Sequence, residues 1–93
     1  MIFPTVHLNG TLGQDLADNA AAAIEALRAA SKAHALTAPN ARDYYPQGDD
    51  AYPAARKQYL DRVERLQAVT LEVAMLLENL TDQNAARRTR GGR

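Results

Sequence analysis

The feature that most constrains this chain is a stripe at three- and four-residue spacing, Tyr52, Ala55, Tyr59, Val63, Leu66, Thr70, Val73, Leu77 and Leu80. Such spacing returns each side chain to the same face of a helix, so it predicts one long helix and excludes a strand, whose period is two. Asp49-Asp50-Ala51-Tyr52-Pro53 supplies the start. Either aspartate can cap the first amides, and proline is tolerated in a first turn because the N–H it lacks has no partner there. With Asp50 as the cap, this helix is expected over 50–82.

A second helix is expected upstream. Thr11-Leu12-Gly13-Gln14 has the form of a capping box, in which the Thr11 hydroxyl accepts from the third helical amide and Gln14 reaches back to the Thr11 amide. Leu16, Ile24, Leu27 and Leu36 follow, with alanine at 20, 23, 30 and 33, and alanine is the strongest helix former. Pro39 ends the helix because the residue before a proline is driven out of the α region, which predicts a helix over 11–37. The two helices are then about 40 and 45 Å long at ~1.5 Å per residue, matched as antiparallel partners.

Before Thr11, Val6 and Leu8 alternate with Thr5 and His7, and Pro4 blocks a regular ladder. Residues 1–10 read as an extended strap docked on the helices, with Asn9-Gly10 turning the chain. Residues 1–86 thus form one all-α domain: strap 1–10, helix 11–37, loop 38–49, helix 50–82. The second helix also carries Leu60, Val69, Leu71, Met75 and Leu76, more apolar surface than one seam can use, while Ala20-Ala21-Ala22-Ala23 permits close helix approach. A chain of 93 residues buries only about 60–65% of its unfolded surface. An antiparallel hairpin completing a helical bundle by homo-oligomerisation is therefore expected; the alternative is that the strap covers the hairpin alone.

The connection Ala38-Pro39-Asn40-Ala41-Arg42-Asp43-Tyr44-Tyr45-Pro46-Gln47-Gly48-Asp49 is longer than the two to eight residues usual between paired helices. Its side chains suit a small nucleotide: tyrosine offers a flat face for a base, a guanidinium matches phosphate, and amides pair with base edges. Arg42, Tyr44, Tyr45, Gln47 and Asn40 are the candidate ligand-binding residues here. The competing reading is that Tyr44 and Tyr45 plug the end of the bundle and Arg42 pairs with Asp43 or a helix C-terminus.

No catalytic constellation is visible. His7 and His34 stand alone, there is no cysteine, and the acids Asp61, Glu64, Glu72 and Glu78 interleave with Arg56, Lys57, Arg62 and Arg65 as on a solvated helix face. Phosphate-loop, nucleophile-elbow and paired-histidine motifs are missing, so no enzyme, metal or cofactor is expected. With no cysteine, no span-length apolar run and no basic, apolar leader, the expected compartment is a reducing cytoplasm. Asn9-Gly10-Thr11 and Asn79-Leu80-Thr81 match a glycosylation triplet that would not be read there.

The zero net charge hides an asymmetry. Arg87, Arg88, Arg90 and Arg93 close the chain, whereas residues 1–86 hold seven basic and eleven acidic side chains. Residues 87–93 read as a disordered basic tail, either solvated or contacting phosphates. Nucleic-acid binding would rest on that tail alone, because the folded part lacks a basic face.

Three stretches, Phe3–Thr11, Ala38–Gly48 and the final helix, resemble a family of small uncharacterised proteins of tailed phages and prophages, over about residues 2–80. That resemblance implies the cytoplasm of an infected or lysogenic bacterial host and no settled activity. In architecture alone the hairpin is similar to viral sponge proteins that oligomerise and sequester the cyclic nucleotide signals of anti-phage defence. The expected function is a non-enzymatic sponge whose site joins Arg42, Tyr44, Tyr45 and Gln47 of one subunit to His7, Asn9 and Thr11 of a neighbour. The alternative is a phage structural or host-protein adaptor built as a helical oligomer.

Overall fold

The computed structural model describes residues 1–91, and side chains through residue 89. Two α-helices dominate, α1 over Gly13–Ala35 and α2 over Ala51–Gly91, and no strand occurs among the described residues. They form an antiparallel hairpin: the start of α1 meets the far part of α2 through Gly13 and Asn84, and its end meets the near part through His34 and Arg62.

α1 starts later than the capping box predicts. Leu12 occupies the cap with φ −55° and ψ 130°, no side chain caps the first amides, and Gln14 Nε2 donates instead to Asp18 Oδ1 at 2.8 Å. The tertiary fit sets this start. A Cβ on Gly13 would collide with the Asn84 side-chain amide and come within 2.9 Å of Val6 Cγ1, so any larger residue in this crossing would have to push both side chains aside. Asn84 Nδ2 then donates to the Gly13 carbonyl at 3.1 Å. At its other end α1 stops at Ala35, where the Thr37 amide and hydroxyl both donate to the His34 carbonyl, at 2.8 and 2.7 Å.

α2 begins directly after Asp50, whose carbonyl accepts from the Ala54 amide at 3.2 Å. Its far end corrects the sequence reading. The helix does not stop at Asp82 but runs to Gly91, so residues 87–91 of the expected disordered tail are helical, while residues 92 and 93 lie outside the described residues. Ala85, Ala86, Arg87 and Arg88 are all strong helix formers, and the added turns have work to do. Gln83 Oε1 accepts from the Val6 amide at 2.8 Å, Gln83 Nε2 donates to the Pro4 carbonyl at 2.8 Å, and Arg87 Nη1 donates to the Val6 carbonyl at 3.3 Å. Gln83 is itself oriented by Asn79 Oδ1 at 2.7 Å. The N-terminal segment, without helix or strand of its own, thereby delivers Val6 to a small core of Val6, Ala17, Ala20 and Leu80, flanked by Leu16, Val73, Leu76 and Leu77.

The helices are consequently unequal, 23 and 41 residues rather than a matched pair. The molecule measures 70 × 21 × 18 Å with a radius of gyration of 20.0 Å, against about 12 Å for a compact domain of this length. Because Arg87 anchors the Val6 backbone, removal of residues 87–93 is expected to lower unfolding free energy by about 1 kcal/mol, the usual worth of a partly exposed hydrogen bond. Urea denaturation of the two lengths checks it; coincident curves would mean the contact contributes nothing.

Candidate functional site

The loop between the helices is ordered by its own backbone. The Asn40 side chain accepts from the Arg42 amide at 3.2 Å and opens a 3-10 turn over Ala41–Asp43. A second 3-10 turn over Tyr45–Gln47 closes with Gly48 donating to the Tyr45 carbonyl at 3.2 Å. Gly48 has φ +107°, a conformation other residues rarely adopt, and from there the chain turns into α2.

This geometry divides the two tyrosines. Tyr44 is half-buried with its ring 6.5 Å from that of Tyr52 and tilted 49° to it, whereas Tyr45 is 76% exposed. Asn40, Arg42 and Gln47 are also exposed, so Arg42, Tyr45 and Gln47 present a cation, a ring face and an amide to solvent at the loop end. About two turns along α2 from Tyr52, Tyr59 stacks on His34 of α1 with ring centroids 4.9 Å apart, and His34 Nε2 accepts from Arg62 Nε at 3.1 Å. His34 thus joins α1 to α2 by packing and hydrogen bonding.

His7, Asn9 and Thr11 are exposed at the opposite end of the hairpin. Within one chain the structure therefore brings together Asn40, Arg42, Tyr44, Tyr45 and Gln47, and separately His7, Asn9 and Thr11, but does not bring the two sets to each other. Of the second set, His7 lines an open concavity of about 660 Å³, together with Leu8, Leu12, Gln14, Arg87 and Arg88 among others. Two cations, an imidazole, an amide and apolar walls suit a small anionic molecule with an apolar body.

The arginines of this concavity were not among the sequence candidates, because they fell in the segment read as tail. Asn79, Gln83 and Arg87, at i, i+4 and i+8, share one helix face, and that spacing was the signal for the longer helix. Among the described residues no three His, Asp or Glu side chains cluster as metal ligands, and no helix is long and apolar enough to cross a membrane.

The class defined by this fold is a helical hairpin with a separate polar cluster at each end. No protein-family model, curated protein or solved structure matches the chain, so its own geometry carries the functional reading. Since Tyr44 packs on Tyr52 and Tyr45 does not pack, Tyr44→Ala is expected to cost about 1–2 kcal/mol and Tyr45→Ala under about 0.5 kcal/mol. Thermal unfolding of the two variants measures the difference, and equal losses would contradict it.

Proposed function

We propose that this chain is a non-enzymatic helical binding module that works as a homo-oligomer, the adaptor type of protein. One observation carries the reading. A compact monomer of 10.1 kDa exposes about 5,300 Å², and this chain exposes 7214 Å². The excess, roughly 1,900 Å² in one chain, is more than the about 800 Å² that a standard interface removes from each partner. It includes Leu60, Leu71 and Met75, which share one flank of α2 and are 40%, 63% and 45% exposed. Burial of such side chains stabilises by about 1.5–3 kcal/mol each when complete, so a further copy on this flank supplies what the small core of the single hairpin lacks.

Light scattering behind size exclusion is expected to give a dimer or larger species at micromolar protein. Leu71→Glu with Met75→Glu should lower that mass, because it would bury unpaired charge in the contact, while Asp61→Ala with Glu64→Ala should not. A monomer in the unaltered protein would remove the proposal.

A second reading, sequestration of a small nucleotide-like signal of the kind used in anti-phage defence, is favoured by the exposed Arg42 and Tyr45 on a backbone-ordered loop and by the cationic concavity beside His7. A ligand that binds only the folded state raises its stability by about 2.7 kcal/mol at a hundredfold excess over Kd. A thermal-shift panel of cyclic di- and trinucleotides, ADP-ribose derivatives and mononucleotides should then contain a stabiliser recovered chemically unaltered, and Arg42→Ala should cancel its effect. Absence of any shift would leave the adaptor alone.

A further inference from the structure

The face of α1 turned away from α2 carries Ala22, Ala26, Ala29, Ala33 and Leu36 at successive spacings of four, three, four and three residues. All five are exposed, and Leu36 is 88% exposed despite its size. At ~100° per residue they fall within an arc of about 80°, on the far side of the helix from the buried Ala17, Ala20 and Ile24. The spacing is that of a heptad seam, and small side chains let two helix axes approach to about 8 Å. The charges give the seam a direction. Asp15 and Asp18 lie in the first part of α1, Glu25 just past its middle, and Arg28 and Lys32 in the last part, all exposed, with Asp18, Glu25 and Lys32 following one border of the seam at seven-residue spacing.

We infer that this face pairs with the same face of a second copy, antiparallel, about a two-fold axis between Ala26 and Ala29. The inference rests on the self-association reading and adds to it a contact distinct from the Leu71 and Met75 flank. Antiparallel pairing places Ala26 against Ala29 of the second copy, Ala22 against Ala33, and Asn19 against the otherwise exposed Leu36. Glu25 then faces Lys32 across the border, twice by symmetry. Parallel pairing would set Glu25 beside alanine, align the two helix dipoles, and forgo both ion pairs.

The register has a consequence at the ends. With residue 26 opposite 29, the helices pair over residues 20–35, so the first turns of α1 project past the end of the other copy's α1 toward its 36–50 loop. The loop bearing Arg42, Tyr44, Tyr45 and Gln47 is thereby brought alongside the end bearing His7, Asn9 and Thr11, the two clusters that a single chain holds apart. Each dimer would hold two such composite sites, so the second copy contributes residues that the site lacks without it.

The absence of native cysteine makes the test direct. Ala22→Cys and Ala33→Cys proteins, each retaining the helical circular dichroism of the parent, are oxidised alone and as an equimolar mixture. The mixture should give a disulfide-linked dimer at least tenfold faster than either protein alone. As a second arm, Glu25→Lys and Lys32→Glu should each weaken the dimer, and the two reversals combined in one chain should restore it. Equal cross-linking of the single variants would mean a parallel or unspecific contact and overturn the inference. An oligomer by light scattering with no cross-link in the mixture would also overturn it while leaving self-association in place, whereas a monomer would remove both.

Discussion

The rest of the structure depends on how the last turns of α2 hold the N-terminal segment. A segment with neither helix nor strand has no regular ladder for its amides and carbonyls, and most must be satisfied by water or by another element. Here Gln83 offers one acceptor and one donor to the backbone of Val6 and Pro4, and Arg87 takes the second polar group of Val6. That fixes Val6 against Leu80, which is 1% exposed and lies at the centre of the core. The Asn84 side chain and Val6 also lie against Gly13, the first residue of α1, where a Cβ would have to push both aside. Without the extra turns of α2, neither the start of α1 nor the core would have its present form.

The small core has a functional counterpart. Two of its four residues are alanines, and of the other large apolar side chains described on the two helices only Ile24 is buried. A hairpin of this kind holds its shape by a few well-placed contacts and leaves its long faces free. One face is a flank with Leu60, Leu71 and Met75; another is the alanine seam of α1. Such faces are free to contact other helices, which is what the proposed assembly requires.

The two polar ends are built differently. At the loop end the backbone does the ordering, through the Asn40 cap, two 3-10 turns and Gly48, so exposed side chains such as Arg42 and Tyr45 sit on a defined frame. At the opposite end the tertiary clasp does the ordering, and the side chains around the concavity come from two stretches distant in sequence, 6–14 and 84–88. A single copy keeps these ends apart along its 70 Å length. Pairing between copies is what could make one site of them.

The long stripe of α2, the stop before Pro39, the start after Asp50 and the polar character of the loop were legible in the sequence, because periodicity, proline and capping act within a few residues of the chain. The end of α2 and the start of α1 were not. Helix propensity permits a stop near Asp82 or a run through the arginines almost equally, and the decision comes from Gln83, Asn84 and Arg87 meeting Val6 and Gly13, residues more than seventy positions away. The Thr11 capping box is a valid local solution that lost to the close crossing at Gly13. The sequence by itself determined that two helices form and which faces are apolar, since those are local properties. Only the tertiary structure decided where the helices end, which arginines join the concavity and which tyrosine is free, because each follows from a contact whose energy exists only once distant segments have met.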